Sequence, residues 1–425
     1  MTKRAIILSL DAMGGEDIAY LKTLPNFSKY FETATLCTNV STVYPSVTYA
    51  CHTSIVTGKL PKNHGIINNS KLDPKRISPD WFWQRKYIKS TTIYDLAIEK
   101  GMKVAAFLWP VTAQSNIQYN LPEIFANRPW QKQTLVSLRN GSPLFQIELV
   151  RKFGHLLDGI KQPNLDDFLT ASLIDTIQTK APELIFAHFV DLDATRHDSG
   201  TFSTEAYEAI HRLDERFGRV IATLKEKNLY DETMIVVLGD HTQIDIDRYT
   251  NLNQLLAKGG YLQIQNNKLK NWKAIAKTCG GSAYIYTRNM SNLEKADLKL
   301  FLEKLEENPT YGIERIFSRS EAVQMGADPN CTYMIEALKG TAFSDIWQEG
   351  INKTHKADHG FHPDKPHYRT FFSASGPGVK PNVEISRMSL MDIAPTLAKI
   401  LDLPLTDTDG KIISEIIEHK GEKNV

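Results

Sequence analysis

Four stretches of the chain are apolar at nearly every position: Ala5–Leu10, Lys103–Leu108, Leu184–Val190 and Met234–Leu238. They are too short for buried helices and lack the alternation of a half-exposed strand. Such runs predict strands buried on both faces, as in a mostly parallel sheet covered by helices. Between them, apolar positions recur three or four apart over Leu144–Leu157, Phe168–Gln178 and Thr204–Lys227, which predicts amphipathic helices. Beyond residue 247 the pattern changes. Lys, Asn, Gly and Glu become frequent around short strands at Gly280–Tyr286 and Tyr333–Glu336 and a helix at Leu293–Leu305. The strand Thr370–Ala374 and a helix at Met391–Leu401 then resume the earlier character. The expectation is an α/β fold, with a mostly parallel central sheet flanked by helices. Residues 1–247 and 350–425 form this core, and residues 248–349 form a smaller inserted α+β lobe acting as a lid or substrate-selecting wall.

The 425 residues carry 50 basic and 49 acidic side chains, a net charge of +1. No polycationic field points to a nucleic-acid-binding module, although a mononucleotide substrate stays open. No window approaches the roughly 20 apolar residues of a membrane span. The opening MTKRAIILSLDAMGG reads as a first core strand, since its short apolar run meets Asp11 without a small-residue cleavage site. Cys37, Cys51, Cys279 and Cys331 form no CxxC and suggest buried free thiols in a cytoplasmic protein. A processed secreted or periplasmic chain would also lack its leader. Nothing in the sequence sets an oligomeric state.

Three of the buried runs end at acidic residues: Asp11, then Asp191 and Asp193, then Asp240 with His241. Ligands of open α/β sheets lie beyond the carboxyl ends of the strands, so Asp11, Asp193, Asp240 and His241 can converge there. Clustered carboxylates repel, and a cation is the simplest way to hold them. Asp193 and His197 are four residues apart, one face of a helical turn. His359 precedes Gly360, which permits a tight turn at a ligand. Three carboxylates and three imidazoles suffice for two zinc sites without cysteine. Upstream, Ser46 or Thr48 opens a helix-like run that ends at Gly58. A hydroxyl there is either a plain N-cap or, beside a metal, an activated nucleophile, with Thr48 as the candidate.

The motifs SLDAM at Ser9–Met13, YPSVTYACHTSIVTGKLPKNHGIINN at Tyr44–Asn69, DLDATRH at Asp191–His197, GDHT at Gly239–Thr242 and DHGFH at Asp358–His362 carry a resemblance. In this order and spacing the chain resembles the nucleotide pyrophosphatase/phosphodiesterase family of the alkaline phosphatase superfamily. The resemblance implies an alkaline-phosphatase-like core with two divalent ions, zinc first and manganese as the alternative. Asp193, His197 and His359 would hold one ion; Asp11, Asp240, His241 and the Thr48 oxygen would hold the other. Thr48 would attack phosphorus and form a phosphothreonine-type intermediate. Asn69 would donate to a phosphoryl oxygen, helped by the Tyr49 backbone N–H.

The chain departs from the family pattern at Ser46-Val47-Thr48, at Ala50-Cys51 and at GDHTQ, none of which removes an implied ligand. The departures bear on the pocket, for which Tyr49, Trp109 and Phe125 are the aromatic candidates, Trp109 being read first as core packing. The expected partner is a small phosphoester substrate, such as a nucleotide. The segment Ser46–Ser54 has no Lys or Arg to meet the extra charge of a monoester, which favours diester or pyrophosphate hydrolysis. The alternatives are a phosphomonoesterase, a phosphonoacetate-type phosphonate hydrolase and a catalytically silent metal-binding protein.

Overall fold

The computed structural model describes residues 4–76, 78–266, 268–348 and 354–418. Its main sheet has eight strands, in the order Met388–Ser389, Thr35–Ser41, Thr370–Ser375, Thr233–Leu238, Arg4–Leu10, Leu184–Phe189, Val104–Phe107 and Tyr119–Leu121. At its centre Arg4–Leu10 lies parallel to both Leu184–Phe189 and Thr233–Leu238, with Ser9 opposite His188 on one side and Leu238 on the other. All three are buried almost throughout, which is why their sequences show no alternation. Thr370–Ser375 runs antiparallel to its two neighbours, Thr233–Leu238 and Thr35–Ser41.

Helices cover both faces. The helices Asn164–Thr179 and Thr204–Glu226 enclose a core of Ile6, Leu8, Phe27, Leu173, Phe217 and Ile235. The helices Thr48–Thr57 and Ile393–Leu401 close the other face over Ile7, Val56, Phe186, Val236 and Leu397. The close packing has a glycine requirement at the sheet end: a Cβ on Gly239 would lie 2.0 Å from the Met13 carbonyl oxygen. Gly239 therefore lets the turn carrying Asp240 approach the turn after Asp11.

The strands Ala274–Thr278, Ser282–Thr287, Tyr333–Ala337 and Ile313–Ser318 form a second, antiparallel sheet in that order, packed by the helix Asn292–Glu306. Its apolar face, including Ile285, Leu298, Leu302 and Ile335, is continuous with Ile246, Phe361 and Tyr368. The strand Ile244–Asn251 runs through position 247, pairing with Gly340–Ser344 and with Ala357–Asp358. One uninterrupted strand thus joins the lobe to the core where the sequence pattern places a boundary. The other boundary, at 349–350, lies outside the described residues.

Candidate active site

The three central strands deliver their acidic residues to one place. Asp11 follows Arg4–Leu10, and Asp240 follows Thr233–Leu238 by one glycine. After Leu184–Phe189 the chain turns directly into the helix Asp191–Ser199, whose first and second turns present Asp193 and His197. His359 arrives from the return segment, at a turn where a Cβ on Gly360 would meet the Cys279 carbonyl oxygen at 1.7 Å. Asp11, Asp240 and His241 bring ligand atoms within 4.8 Å of one another, as do Asp193, His241 and His359, and also His197, Asp358 and His359. Asp193 Oδ2 stands 3.5 Å from His197 Nε2. All six acidic and imidazole side chains singled out as ligands therefore meet. Asp358 joins them, while its Oδ2 accepts from the Tyr249 hydroxyl at 2.9 Å.

Thr48 sits at the rim of the first cluster. Val47, in extended conformation, is the N-cap residue of Thr48–Thr57 and makes no side-chain cap. The Thr48 hydroxyl is thus inside the helix rather than capping it, and its Oγ1 lies 3.2 Å from His241 Nε2. The same Nε2 is 3.3 Å from Asp11 Oδ1 and from Asp240 Oδ2. Asn69 accepts the Tyr49 backbone N–H at its Oδ1, 2.9 Å away, which leaves the amide nitrogen as its donor. The Tyr49 N–H, the expected helper of Asn69, is thus bonded to Asn69 itself.

The donor set suits a divalent cation. Among the described residues, the buried Asp11 Oδ1 and Asp240 Oδ2 have no hydrogen-bond partner. Burial raises both carboxyls well above the ordinary carboxylate range, helped by Asp193 at Asp11 and by Asp11 at Asp240. Burial, with His359 and His52 beside it, lowers His241 well below the usual imidazole value. A positive ion among these groups reverses both tendencies, favouring ionised carboxylates and neutral imidazoles. The Asp and His cluster is therefore a metal-binding centre by its chemistry.

Several supporting residues escape the sequence pattern. His188 Nε2 is 2.9 Å from Asp11 Oδ2, and its one visible sign is a lone polar position inside an apolar strand. Gln243 donates to Asp193 Oδ1 at 2.6 Å, and His52 Nδ1 lies 2.8 Å from the Thr48 carbonyl oxygen. Asp191 turns away from the cluster. It binds Arg212 through both oxygens at 2.7 and 2.8 Å, and Arg216 at 2.7 Å, so it anchors the helix that bears Asp193 and His197.

The aromatic candidates separate. Trp109 is fully buried, its ring 5.0 Å from Phe186 and 4.8 Å from His52, and belongs to the core. Tyr49 is also wholly buried and meets Trp81 edge-on at 5.2 Å. Phe125 keeps some exposure, between Trp81 and Trp83 at 5.1 and 5.2 Å. Neither tryptophan stands out in sequence, because a WFW triplet reads equally well as a hydrophobic turn.

Fold and cluster together define an α/β protein with a carboxylate–imidazole metal centre at its strand ends and a threonine hydroxyl beside it. The family model for type I phosphodiesterase / nucleotide pyrophosphatase matches residues 5–362, and the chain belongs to that family. It is 27% identical over 274 residues to human ectonucleotide pyrophosphatase/phosphodiesterase family member 1, covering 60% of this chain and 25% of that protein. It is 22% identical over 425 residues to the venom phosphodiesterase of Macrovipera lebetinus, covering 95% and 44%. Murine ectonucleotide pyrophosphatase / phosphodiesterase 5 has the same fold, with a TM-score of 0.70 at 18% identity over 98% of this chain and 100% of that one. The chain spans less than half the length of these two curated relatives.

These relatives overturn the cytoplasmic placement expected from the cysteines, since they are ectonucleotide and venom enzymes. The four thiols are free and buried, and a buried thiol is shielded from oxidants and partners in any compartment. Their spacing therefore carries no information on location. Among the described residues, no helix is long and apolar enough to cross a membrane.

Proposed function

We propose that this chain hydrolyses phosphodiester or nucleotide pyrophosphate bonds, with Thr48 Oγ1 as the nucleophile. The observation that carries the reading is the Thr48 hydroxyl 3.2 Å from His241, at the start of a helix and against the Asp11, Asp240 and His241 cluster. Asp193, His197 and His359 hold one divalent ion, and Asp11, Asp240, His241 and Thr48 hold a second. Zinc is preferred by the mixed carboxylate and imidazole set, with manganese as the alternative. When bound, such ions act as Lewis acids that lower the pKa of a hydroxyl and neutralise phosphoryl charge.

The residues of the chain do the rest. Thr48 forms the new oxygen–phosphorus bond as the bond to the leaving oxygen breaks. Water then cleaves the phosphothreonine-type ester and restores the hydroxyl. The Asn69 amide, oriented by its bond to the Tyr49 N–H, donates to an equatorial phosphoryl oxygen. Among the described residues, the side chains bonded to Thr48, Asp11, Asp240 and His241 are imidazoles, carboxylates and threonine hydroxyls, with no Lys or Arg. Lys59 is held by Asp407 at 2.5 Å, and Lys62 donates to the Val323 carbonyl oxygen at 2.8 Å. A diester, with one charge fewer than a monoester, suits this neighbourhood. A nucleotide arm is supported by the murine relative, whose inactive variant was solved in complex with AMP. Trp81 and Phe125 offer the partly exposed aromatic surface for it.

Mass spectrometry of a quenched reaction tests the nucleophile. The phosphoryl or nucleotidyl group is expected on Thr48, with turnover lost in Thr48→Ala and partly kept in Thr48→Ser. Full turnover by the alanine variant rejects the mechanism. The substrate class is tested by kcat/KM on bis(p-nitrophenyl) phosphate, p-nitrophenyl phosphate, a nucleotide pyrophosphate and phosphonoacetate. Preference for the monoester or for phosphonoacetate rejects the diester reading.

A further inference from the structure

The exposed apolar surface of this protein is unevenly distributed. Among the described residues, half of the large apolar side chains that stand exposed fall between positions 130 and 160: Trp130, Leu135, Leu144, Ile147, Val150 and Ile160. Leu144 and Trp130 are 83% and 78% exposed. Most belong to two short helices packed on each other, Gln133–Asn140 and Pro143–Phe153. On the second helix Phe145, Gln146 and Leu149 point inward, while Leu144, Ile147 and Val150 follow at intervals of three along the opposite side. A solvent-facing helix side normally carries polar residues. This one places three large apolar side chains in water.

The same segment is basic. Residues 126–161 contain six Lys and Arg against two acidic residues, although the whole chain has a net charge of only +1. Arg128, Lys152 and Lys161 are paired with Asp80, Asp175 and Asp158. Among the described residues, Lys132, Arg139 and Arg151 are exposed and have no acidic partner. Lys132 and Arg139 flank Leu135, and Arg151 follows Val150. Apolar side chains ringed by unpaired cations match the interface of a bilayer with anionic headgroups. A second copy of this chain fits worse, because a two-fold interface would set the same cations against themselves.

We propose that this helical hairpin docks the protein onto an anionic lipid surface, as a peripheral contact rather than a span. The hairpin is continuous with the candidate active site. Val136, on the first helix, packs into the aromatic cluster of Tyr49, Trp83 and Phe125, and Tyr49 adjoins Thr48.

Flotation of the full chain with vesicles tests the surface without requiring turnover. One set is phosphatidylcholine alone, and the other is equimolar phosphatidylcholine and phosphatidylglycerol. Each unpaired cation near such a surface is worth roughly a five-fold change in partitioning, so the anionic vesicles should be favoured by roughly a hundred-fold. Leu144→Ser with Ile147→Ser should abolish flotation. Lys132→Glu with Arg151→Glu should weaken it on anionic vesicles by more than ten-fold. Both double variants should keep the wild-type melting temperature and hydrolysis of a soluble diester. Wild-type protein that fails to float, or serine variants that float as well as wild type, overturns the proposal. Self-association of the wild type that is lost in the serine variants, without lipid binding, also overturns it and assigns the face to a second copy.

Discussion

Asn69 gives a sharp test of the site because its two amide ends do different work. Its Oδ1 accepts the Tyr49 backbone N–H at 2.9 Å, and in the proposed function its Nδ2 donates to substrate. Asn69→Ala removes both. Loss of the first bond costs about 1 kcal/mol of stability, since Asn69 is only partly buried and water can replace the lost partner. In the proposed mechanism, loss of the second removes a donor to charge that develops in the transition state. Such a donor is worth roughly 100- to 1,000-fold in kcat, or about 3–4 kcal/mol. Asn69→Asp separates the roles. It keeps an acceptor for Tyr49 and hence the local backbone, but it exchanges the donor for a negative charge facing a phosphoryl group. It should therefore be at least as stable as the alanine variant and less active. The assay is kcat and KM on bis(p-nitrophenyl) phosphate, with metal content measured on the same samples. The fall should lie in kcat with metal stoichiometry unchanged. An alanine variant within three-fold of wild type, or an aspartate variant more active than the alanine one, rules out this role for Asn69.

Removing a ligand should lower metal content and activity together. Asp240→Asn and His359→Ala are expected to do so in elemental analysis, whereas replacing all four cysteines should leave the stoichiometry unchanged; full occupancy in both ligand variants would reject the assignments. Away from the centre, burial pushes Glu336 from 4.5 up to about 7, against the opposing pull of Lys365. A carboxyl raised in the folded state contributes stability below its unfolded pKa and loses it as pH rises towards the folded value, here from about 4.5 to about 7. Glu336→Gln keeps an acceptor for the Tyr44 hydroxyl, 2.8 Å away, and should lose less melting temperature than wild type between pH 5 and pH 8. Equal losses in both proteins would show that Glu336 is not the group responsible.

The sequence alone determined the buried strands and the residues at their ends. A strand buried on both faces must be apolar along its length, so Ala5–Leu10, Leu184–Val190 and Met234–Leu238 announce themselves, and the polar residues that stop them stand out. The same physics located the helix Thr204–Glu226, whose apolar stripe is written in its period. The convergence of Asp11, Asp193, Asp240 and His241 follows from sheet geometry, and the motif order adds His197 and His359.

Tertiary structure alone decided what lies between these points. Thr48 is not the helix N-cap, because Val47 takes that position, and no pattern of residue types distinguishes the two. His188 and Gln243 reach the centre through space from positions whose local sequence favours packing. Trp109 and Tyr49 are buried while Trp81 and Phe125 keep exposed surface, a division made by neighbours distant in sequence. The strand Ile244–Asn251 crosses the boundary suggested by composition because strand extent is set by pairing with Gly340–Ser344 and Ala357–Asp358, not by local composition. Local periodicity records which side of an element is buried; what it is buried against is set by contacts between segments hundreds of residues apart.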